Sequence, residues 1–339
     1  MNSKNLCLSF KSLQVFFMRM TLNVVLLSSL SMSIVVSAQT QESALSIERH
    51  TEESLQKGFK AMDEQDYEQA IRIFSQIIDL GTNLDSYNGI AYLQRGISYA
   101  SLEDHHSAIR DYTQAISIDP NNTDAYVTRG ISFNKLGDRP SAVRDYTRAI
   151  AIDPNQILAY KMRAFLFTQI NDHESAIRDY TQAILIEPNN AKNYYDRGLS
   201  YSKLKDYPAA IRDYSQVIFL EPSNTFAYTV RGVSYASIKD YLAATRDCTQ
   251  AILFDPKNTV AYLTRGLARE KLNDWSSAVH DYTQVIDINP RDAEAYNHRS
   301  LIYAKQGDYR RATADARQAC NLGICDVIEW LNKKGWVQD

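Results

Sequence analysis

The chain has 339 residues, 45% of them hydrophobic and 23% charged, with a formal net charge of -3. Such a length exceeds one ordinary core, so two domains or an extended array are the options. The balance argues against a disordered chain, the near-neutral charge against a nucleic-acid-binding surface, and the few Gly (12) and Pro (8) against a loop-rich β protein.

Residues 1–38 stand apart. They contain no Asp or Glu and only Lys4, Lys11 and Arg19 as charges, followed by an apolar run from Met20 to Val36. The run ends Val36-Ser37-Ala38, with small residues where a signal peptidase reads, and polar Gln39-Thr40-Gln41 follow. The segment is expected to be a signal peptide; the alternative is an uncleaved N-terminal anchor. Ser28, Ser29, Ser31 and Ser33 interrupt the run and no charged stop-transfer cluster follows, which favours cleavage. Cys7 precedes the apolar run, where a lipoprotein would need its Cys after it. Cleavage would take the charge from -3 to -6, leave no membrane insertion of the mature chain, and send it to the periplasm or outside the cell, where disulfides are allowed. Residues 39–50 are expected to be a linker.

From there the sequence repeats. Pro120, Pro154, Pro188, Pro222, Pro256 and Pro290 are 34 residues apart, as are Arg95 through Arg299 and Asp111 through Asp315. Each period holds two helix patterns, one like Ala125–Phe133 and one like Ser175–Ile184, with apolar residues at three- and four-residue spacing. An Asp stands between them in every repeat: Asp66, Asp104, Asp138, Asp172, Asp206, Asp240, Asp274 and Asp308. It suits the N-cap of the second helix, because its carboxylate can take a bond from an orphan first-turn N–H. Pro140 and Pro208 fall in that first turn, where a missing N–H does no harm, and the periodic Pro ends the second helix.

A 34-residue helix–turn–helix carrying Tyr92, Gly96, Tyr99, Ala108, Tyr112, Ala115 and Pro120 at positions 4, 8, 11, 20, 24, 27 and 32 resembles the tetratricopeptide repeat. The resemblance covers eight repeats over residues 51–326. It implies an all-α fold, an α-solenoid with a right-handed superhelix, whose concave face holds partner segments. The first repeat has four extra residues in Leu80–Ile90 and no Pro. The last lacks both Gly and Pro, and 327–339 form a capping helix and tail. Gly at position 8, with Ala164 once, allows the two helices to approach, and Ala and Ile at 20, 21, 27 and 28 fill the core. The Arg of position 7 and the Asp of position 23 are both present in repeats two to eight. Both are absent from the first, where Lys57 and Ile73 stand, so they are expected to pair helix to helix.

No catalytic pattern emerges. His50, His105, His106, His173, His280 and His298 show no metal-binding spacing, and no phosphate loop, G-x-S-x-G or Cys framed by a base is present. The chain is read as no enzyme, with no cofactor and no metal. Cys248 takes an inward Tyr position and reads as a buried thiol. Cys320 and Cys325 bracket a turn with Gly323; they form either a disulfide or two packed thiols.

The resemblance puts positions 2, 5, 6, 9, 12 and 13 on the concave face. Its candidate groove is Leu93, Ile97, Val127, Ile131, Lys161, Phe165, Tyr195, Leu199, Thr229, Val233, Leu263 and Leu267. Position 9 is apolar throughout and never Asn, so the clamp that holds chaperone tails in relatives does not carry over. Lys135, Lys203, Lys271 and Lys305 at position 13 either steer an acidic ligand or form a solvated edge. The expected function is an exported scaffold for a protein or peptide partner, with a self-associating structural role in the cell envelope as the alternative.

Overall fold

A computed structural model describes residues 38–80 and 85–337, and every regular element in them is an α-helix. The expected signal segment, up to residue 37, lies outside the described residues. No helix among them is long and apolar enough to cross a membrane.

The chain divides into two compact units, 1–166 and 167–339. The first unit runs α1 (Ala38–Asp63), α2 (Tyr67–Asp79), α3 (Asp85–Ser101), α4 (His105–Ile118), α5 (Thr123–Lys135), α6 (Arg139–Ile152) and the start of α7 (Ile157–Gln169). The second takes the end of α7, then α8 (His173–Ile186), α9 (Ala191–Lys203), α10 (Tyr207–Leu220), α11 (Thr225–Ser237) and α12 (Tyr241–Phe254). It closes with α13 (Thr259–Lys271), α14 (Trp275–Ile288), α15 (Ala293–Lys305), α16 (Tyr309–Asn321) and α17 (Asp326–Lys334). Odd-numbered helices up to α15 are the first helices of their repeats and even-numbered ones the second, so each unit is a stack of helix pairs of the all-α, α-solenoid class.

One expectation is overturned at the start. Residues 39–50 are not a linker but the first half of α1. The stretch has no Gly or Pro to break a helix, and Gln, Glu, Ala and Leu propagate one readily. The first repeat's extra residues are partly accounted for too, since α3 starts at Asp85 and runs 17 residues where later first helices run 13.

Local chemistry sets the joints. Each interhelix Asp caps as expected, its carboxylate accepting the N–H three residues on at 2.9–3.3 Å from Asp66 to Asp308. The residue before each of these Asp is left-handed: Gln65, Glu103, Asn171, Lys205, Lys239 and Asn273 at φ 61–67°, Gly137 and Gly307 at 80–84°. That twist turns the Asp N–H back onto the first helix, as Asp104 N–H bonds Tyr99 carbonyl at 2.9 Å. Small residues at position 8 are required by approach rather than by φ. A Cβ on Gly130 would sit 2.7 Å from the Tyr146 ring, and one on Gly232 would sit 2.7 Å from Cys248 Sγ.

The predicted Arg–Asp pairing is present in each of the six pairs that lie within one unit, and it is bidentate. Arg95–Asp111, Arg129–Asp145, Arg197–Asp213, Arg231–Asp247, Arg265–Asp281 and Arg299–Asp315 join through Nε at 2.7–3.1 Å and Nη2 at 2.7–2.9 Å. The sequence reading missed the third bond. Each Arg Nη1 donates to a hydroxyl on the second helix of the preceding repeat. Arg95, Arg129, Arg163, Arg197, Arg231, Arg265 and Arg299 reach Ser75, Thr113, Thr147, Thr181, Ser215, Thr249 and Thr283 at 2.8–3.0 Å. The guanidinium also lies 5.4–6.0 Å from the centroid of the position-4 Tyr ring in all seven. One side chain therefore ties three helices of two repeats.

At the C-terminus, Cys320 and Cys325 form a disulfide across the turn between α16 and α17. Val327 and Leu331 of α17 are buried against Ala304, Ala312 and Ala316, which caps the last pair. Trp330 stands at the rim, edge-on to Trp336, which also meets Tyr309 at 4.8 Å.

The three-way tie predicts a graded loss in urea melts. Ser215→Ala removes one hydrogen bond and should cost about 1 kcal/mol. Arg231→Ala leaves the buried Asp247 carboxylate without its partner and should cost about 3 kcal/mol or more. The double change Arg231→Leu, Asp247→Leu should cost less than Arg231→Ala alone; a larger loss would show that the pair does not act as a unit.

Candidate functional site

The groove candidates sit on the first helices, and burial divides them. In the first unit Leu93, Ile97 and Val127 are buried, Ile131 and Lys161 half-buried, and Phe165 exposed. In the second unit Thr229 is buried, Tyr195, Leu199, Leu263 and Leu267 are half-buried, and Val233 is exposed. Leu93, Ile97, Val127 and Thr229 are thus core side chains rather than groove wall. The cause at Thr229 is plain: its hydroxyl donates to the Thr225 carbonyl and accepts Asn258 Nδ2 at 2.8 Å, so the next repeat's cap covers it. Asn258 also caps α13 through the Ala261 N–H at 3.0 Å, and Asn122 and Asn224 cap α5 and α11 in the same way.

In the second unit the accessible part of the candidate face includes one continuous apolar row. Leu199, Val233, Leu267 and Leu301 occupy position 9 of four successive first helices, each apolar and none fully buried. Tyr195 stands beside it, its ring centroid 6.0 Å from that of Tyr214. Burial pushes the Tyr195 phenol up, with the Asp196 carboxylate adding to the effect, so it stays a neutral hydroxyl.

Two charged features lie on first helices, one in each unit. On α13 the buried Glu270 carboxylate accepts from Tyr282 Oη at 3.2 Å and meets His298 Nδ1 at 3.2 Å and Lys305 Nζ at 3.5 Å. Lys305 in turn lies 4.7 Å over the Trp275 ring. Burial alone would raise the Glu270 carboxyl, but the His298 hydrogen bond and the His298 and Lys305 charges outweigh it and hold the carboxyl below its usual range. This cluster was not anticipated, yet a signal exists. Glu270 occupies position 12, where the other regular repeats have Ala100, Asn134, Thr168, Ser202, Ala236 and Ala304.

The second feature is Asp124, at position 2 of α5, taking Gln156 Nε2 at 3.2 Å. Burial pushes its carboxyl up to about 6, opposed by the Gln156 bond and helped by the Asp153 charge. Among the described residues no group of three or more His, Cys, Asp or Glu is placed to hold a metal ion.

This geometry defines a class before it defines a family: a helix-pair repeat protein with an apolar row on its first helices. Models of the tetratricopeptide repeat match residues 89–122, 159–190, 191–224 and 263–323. A search of curated proteins finds no match. Among solved structures, the C-terminal part of a TPR repeat-containing protein from Cytophaga hutchinsonii is similar over 72% of this chain and 98% of its own. Its TM-score is 0.62 at 18% identity. A tetratricopeptide repeat protein from Parabacteroides merdae is similar over 72% of this chain and 97% of its own, with TM-score 0.51 at 22% identity. At such identities the likeness shows the fold alone. The chain is a tetratricopeptide-repeat protein.

Asp124 yields a test with a definite sign. Its carboxyl is raised in the folded chain, so the native state holds its proton to higher pH than the unfolded one. That contribution to stability is present at pH 4 and falls as pH rises towards about 6. Asp124→Asn should therefore stabilise the chain at pH 7 by on the order of 1–2 kcal/mol and flatten that part of the pH–stability curve. Thermal melts of both proteins from pH 4 to 8 check it, and an unchanged slope would refute it.

Proposed function

We propose that this chain is an exported, non-catalytic scaffold that holds a protein or peptide segment along its first-helix face. The observation that carries the reading is the position-9 row of the second unit. Leu199, Val233, Leu267 and Leu301 are apolar yet accessible, in register on four consecutive first helices. A soluble monomer gains nothing by leaving such a row in water unless something covers it. An apolar row with Tyr195 on one side and the Glu270–His298–Lys305 cluster at one end suits a segment with apolar anchors and a polar flank. The tetratricopeptide repeat supports the same role, since it works as a scaffold for protein–protein contact.

Export is part of the proposal. The apolar segment with its Val36-Ser37-Ala38 end supports it, and so does the Cys320–Cys325 disulfide, because such bonds persist in oxidising compartments. N-terminal sequencing of the protein recovered from its own cells should begin at or near Gln39; a start at Met1 would leave the chain anchored.

The partner is to be found by crosslinking in the native cell followed by mass spectrometry. Val233→Glu together with Leu199→Glu should then weaken capture of that partner about thirty-fold, each loss being worth about 1 kcal/mol at a contact of this kind. Val233 is exposed and Leu199 half-buried, so a circular dichroism melt accompanies the measurement to show that the fold is intact. Unreduced recovery with an intact fold would remove the first-helix face as the binding site.

A further inference from the structure

Of the five most exposed large apolar side chains among the described residues, Phe226 at 72% belongs to a first helix and the other four to second helices. Phe219 is 76% exposed, Leu185 69% and Leu253 67%. All three fall at position 29, on the second helices α10, α8 and α12, three consecutive repeats of the second unit. Elsewhere the regular repeats have Ser117, Ala151 and Asp287 at that position, so a bulky apolar side chain stands there in these three alone. Seven residues earlier, on the same helical face and about 10 Å along the axis, stand the exposed Arg178, Arg212 and Arg246. Arg178 is steadied by Ser175 Oγ at 2.7 Å. Between the rows lie Gln182, Gln216 and Gln250. The acidic residues inside these helices are nearly all elsewhere: Asp179, Asp213 and Asp247 are buried, which leaves Glu174 at the start of α8. Just beyond the apolar row come the helix-ending Glu187, Glu221 and Asp255. The first two accept Asn190 Nδ2 at 2.8 Å and Asn224 Nδ2 at 2.6 Å, and Asp255 accepts the Lys257 N–H at 3.0 Å.

We infer that α8, α10 and α12 present a second docking surface, and that its occupant is an amphipathic helical peptide segment whose apolar stripe is flanked by carboxylates. The pattern is an apolar row with a basic row along one side, so a segment with leucine-like anchors and a Glu or Asp flank meets both at once. An anionic membrane fits less well, because Glu187, Glu221 and Asp255 at the ends of the same three helices offset the charge of the three Arg. A second copy of the chain fits less well on area. Three side chains offer a patch of about 300–600 Å², whereas a stable dimer buries about 800 Å² on each partner. This surface uses the second helices, so it stands or falls independently of the first-helix face.

The test uses the full exported chain and a designed probe. The probe is a fluorescein-labelled helical peptide of about 18 residues, five turns, with Leu on one face and Glu along one flank. A matched peptide carries Lys in place of every Glu. Fluorescence anisotropy should show the Glu peptide binding about ten-fold tighter than the Lys peptide. Phe219→Ser with Leu253→Ser should weaken it about ten-fold, while Val233→Glu with Leu199→Glu leaves it unchanged. Reversing the basic row, Arg178→Glu, Arg212→Glu and Arg246→Glu, should turn the preference towards the Lys peptide. All these side chains but the half-buried Leu199 are exposed, and circular dichroism melts confirm an intact fold. Equal binding of the two peptides, or binding that survives the serine changes, overturns the proposal. So does binding to phosphatidylglycerol vesicles without binding to the peptide, or a native dimer in sedimentation that the serine changes dissociate.

Discussion

The arginine at position 7 is the contact on which the rest of the molecule depends. Its guanidinium closes a two-toothed bond on the aspartate of its own second helix and spends its remaining Nη1 hydrogen on a hydroxyl of the preceding repeat. A helix pair cannot bury its apolar face alone, so adjacent pairs must stack, and stacking by apolar contact alone leaves their register loose. A planar fork with fixed donor directions limits that freedom: the two bonds to the aspartate fix the guanidinium, and sliding one pair against the next would break its directed Nη1 bond. The cost of burying the aspartates, whose side chains are 0–11% exposed in these pairs, is met by the pairing. The 34-residue period without insertion follows from this: an extra residue in either helix would carry the Arg off its two partners.

With the register held by this tie, positions outside it are free to differ from repeat to repeat. Position 12 illustrates it. Of repeats two to eight, six have Ala, Ser, Thr or Asn there, and the other has Glu270, which is tolerated because Tyr282, His298 and Lys305 supply partners in place. Position 24 shows the same tolerance inside the core. Cys248 replaces the Tyr that meets the small residue of position 8, and Gly232 still closes on it. Burial pushes the Cys248 thiol up to about 12, so it is protonated and serves as packing rather than as a nucleophile.

Much of this was legible from residues alone, and the misses have physical causes. The Arg–Asp bridge could be inferred because both partners are lost together in the first repeat, where Lys57 and Ile73 stand. The Ser or Thr of position 25 could not, since hydroxyl residues are common on solvent-facing helix turns and carry no signature of a partner 16 residues away. The left-handed residue before each capping Asp was hidden for a similar reason. Gly137 and Gly307 announce it, but Lys, Glu, Gln and Asn hold the same φ in the other six repeats. Assigning position 5 to the groove failed for Leu93, Val127 and Thr229, because periodicity gives a residue's angle around its own helix and not how closely the next helix covers it. Residues 39–50 were read as a linker because the repeat begins at 51, although nothing in them stops a helix.

The same distinction explains why the second-helix surface escaped a reading by columns. Position 29 is Ser, Ala, Leu, Phe, Leu and Asp through the regular repeats, which looks like drift on a wet surface. Exposure changes its meaning: the three apolar members are consecutive and each is more than two-thirds in water. A single exposed leucine needs no explanation, since most protein surface is apolar in part. Three in register beside three arginines are different, because each keeps a hydration cost that a serine in the same place would avoid, and the tie at position 7 would hold the fold either way. Stability therefore offers no reason for the row, and recognition does.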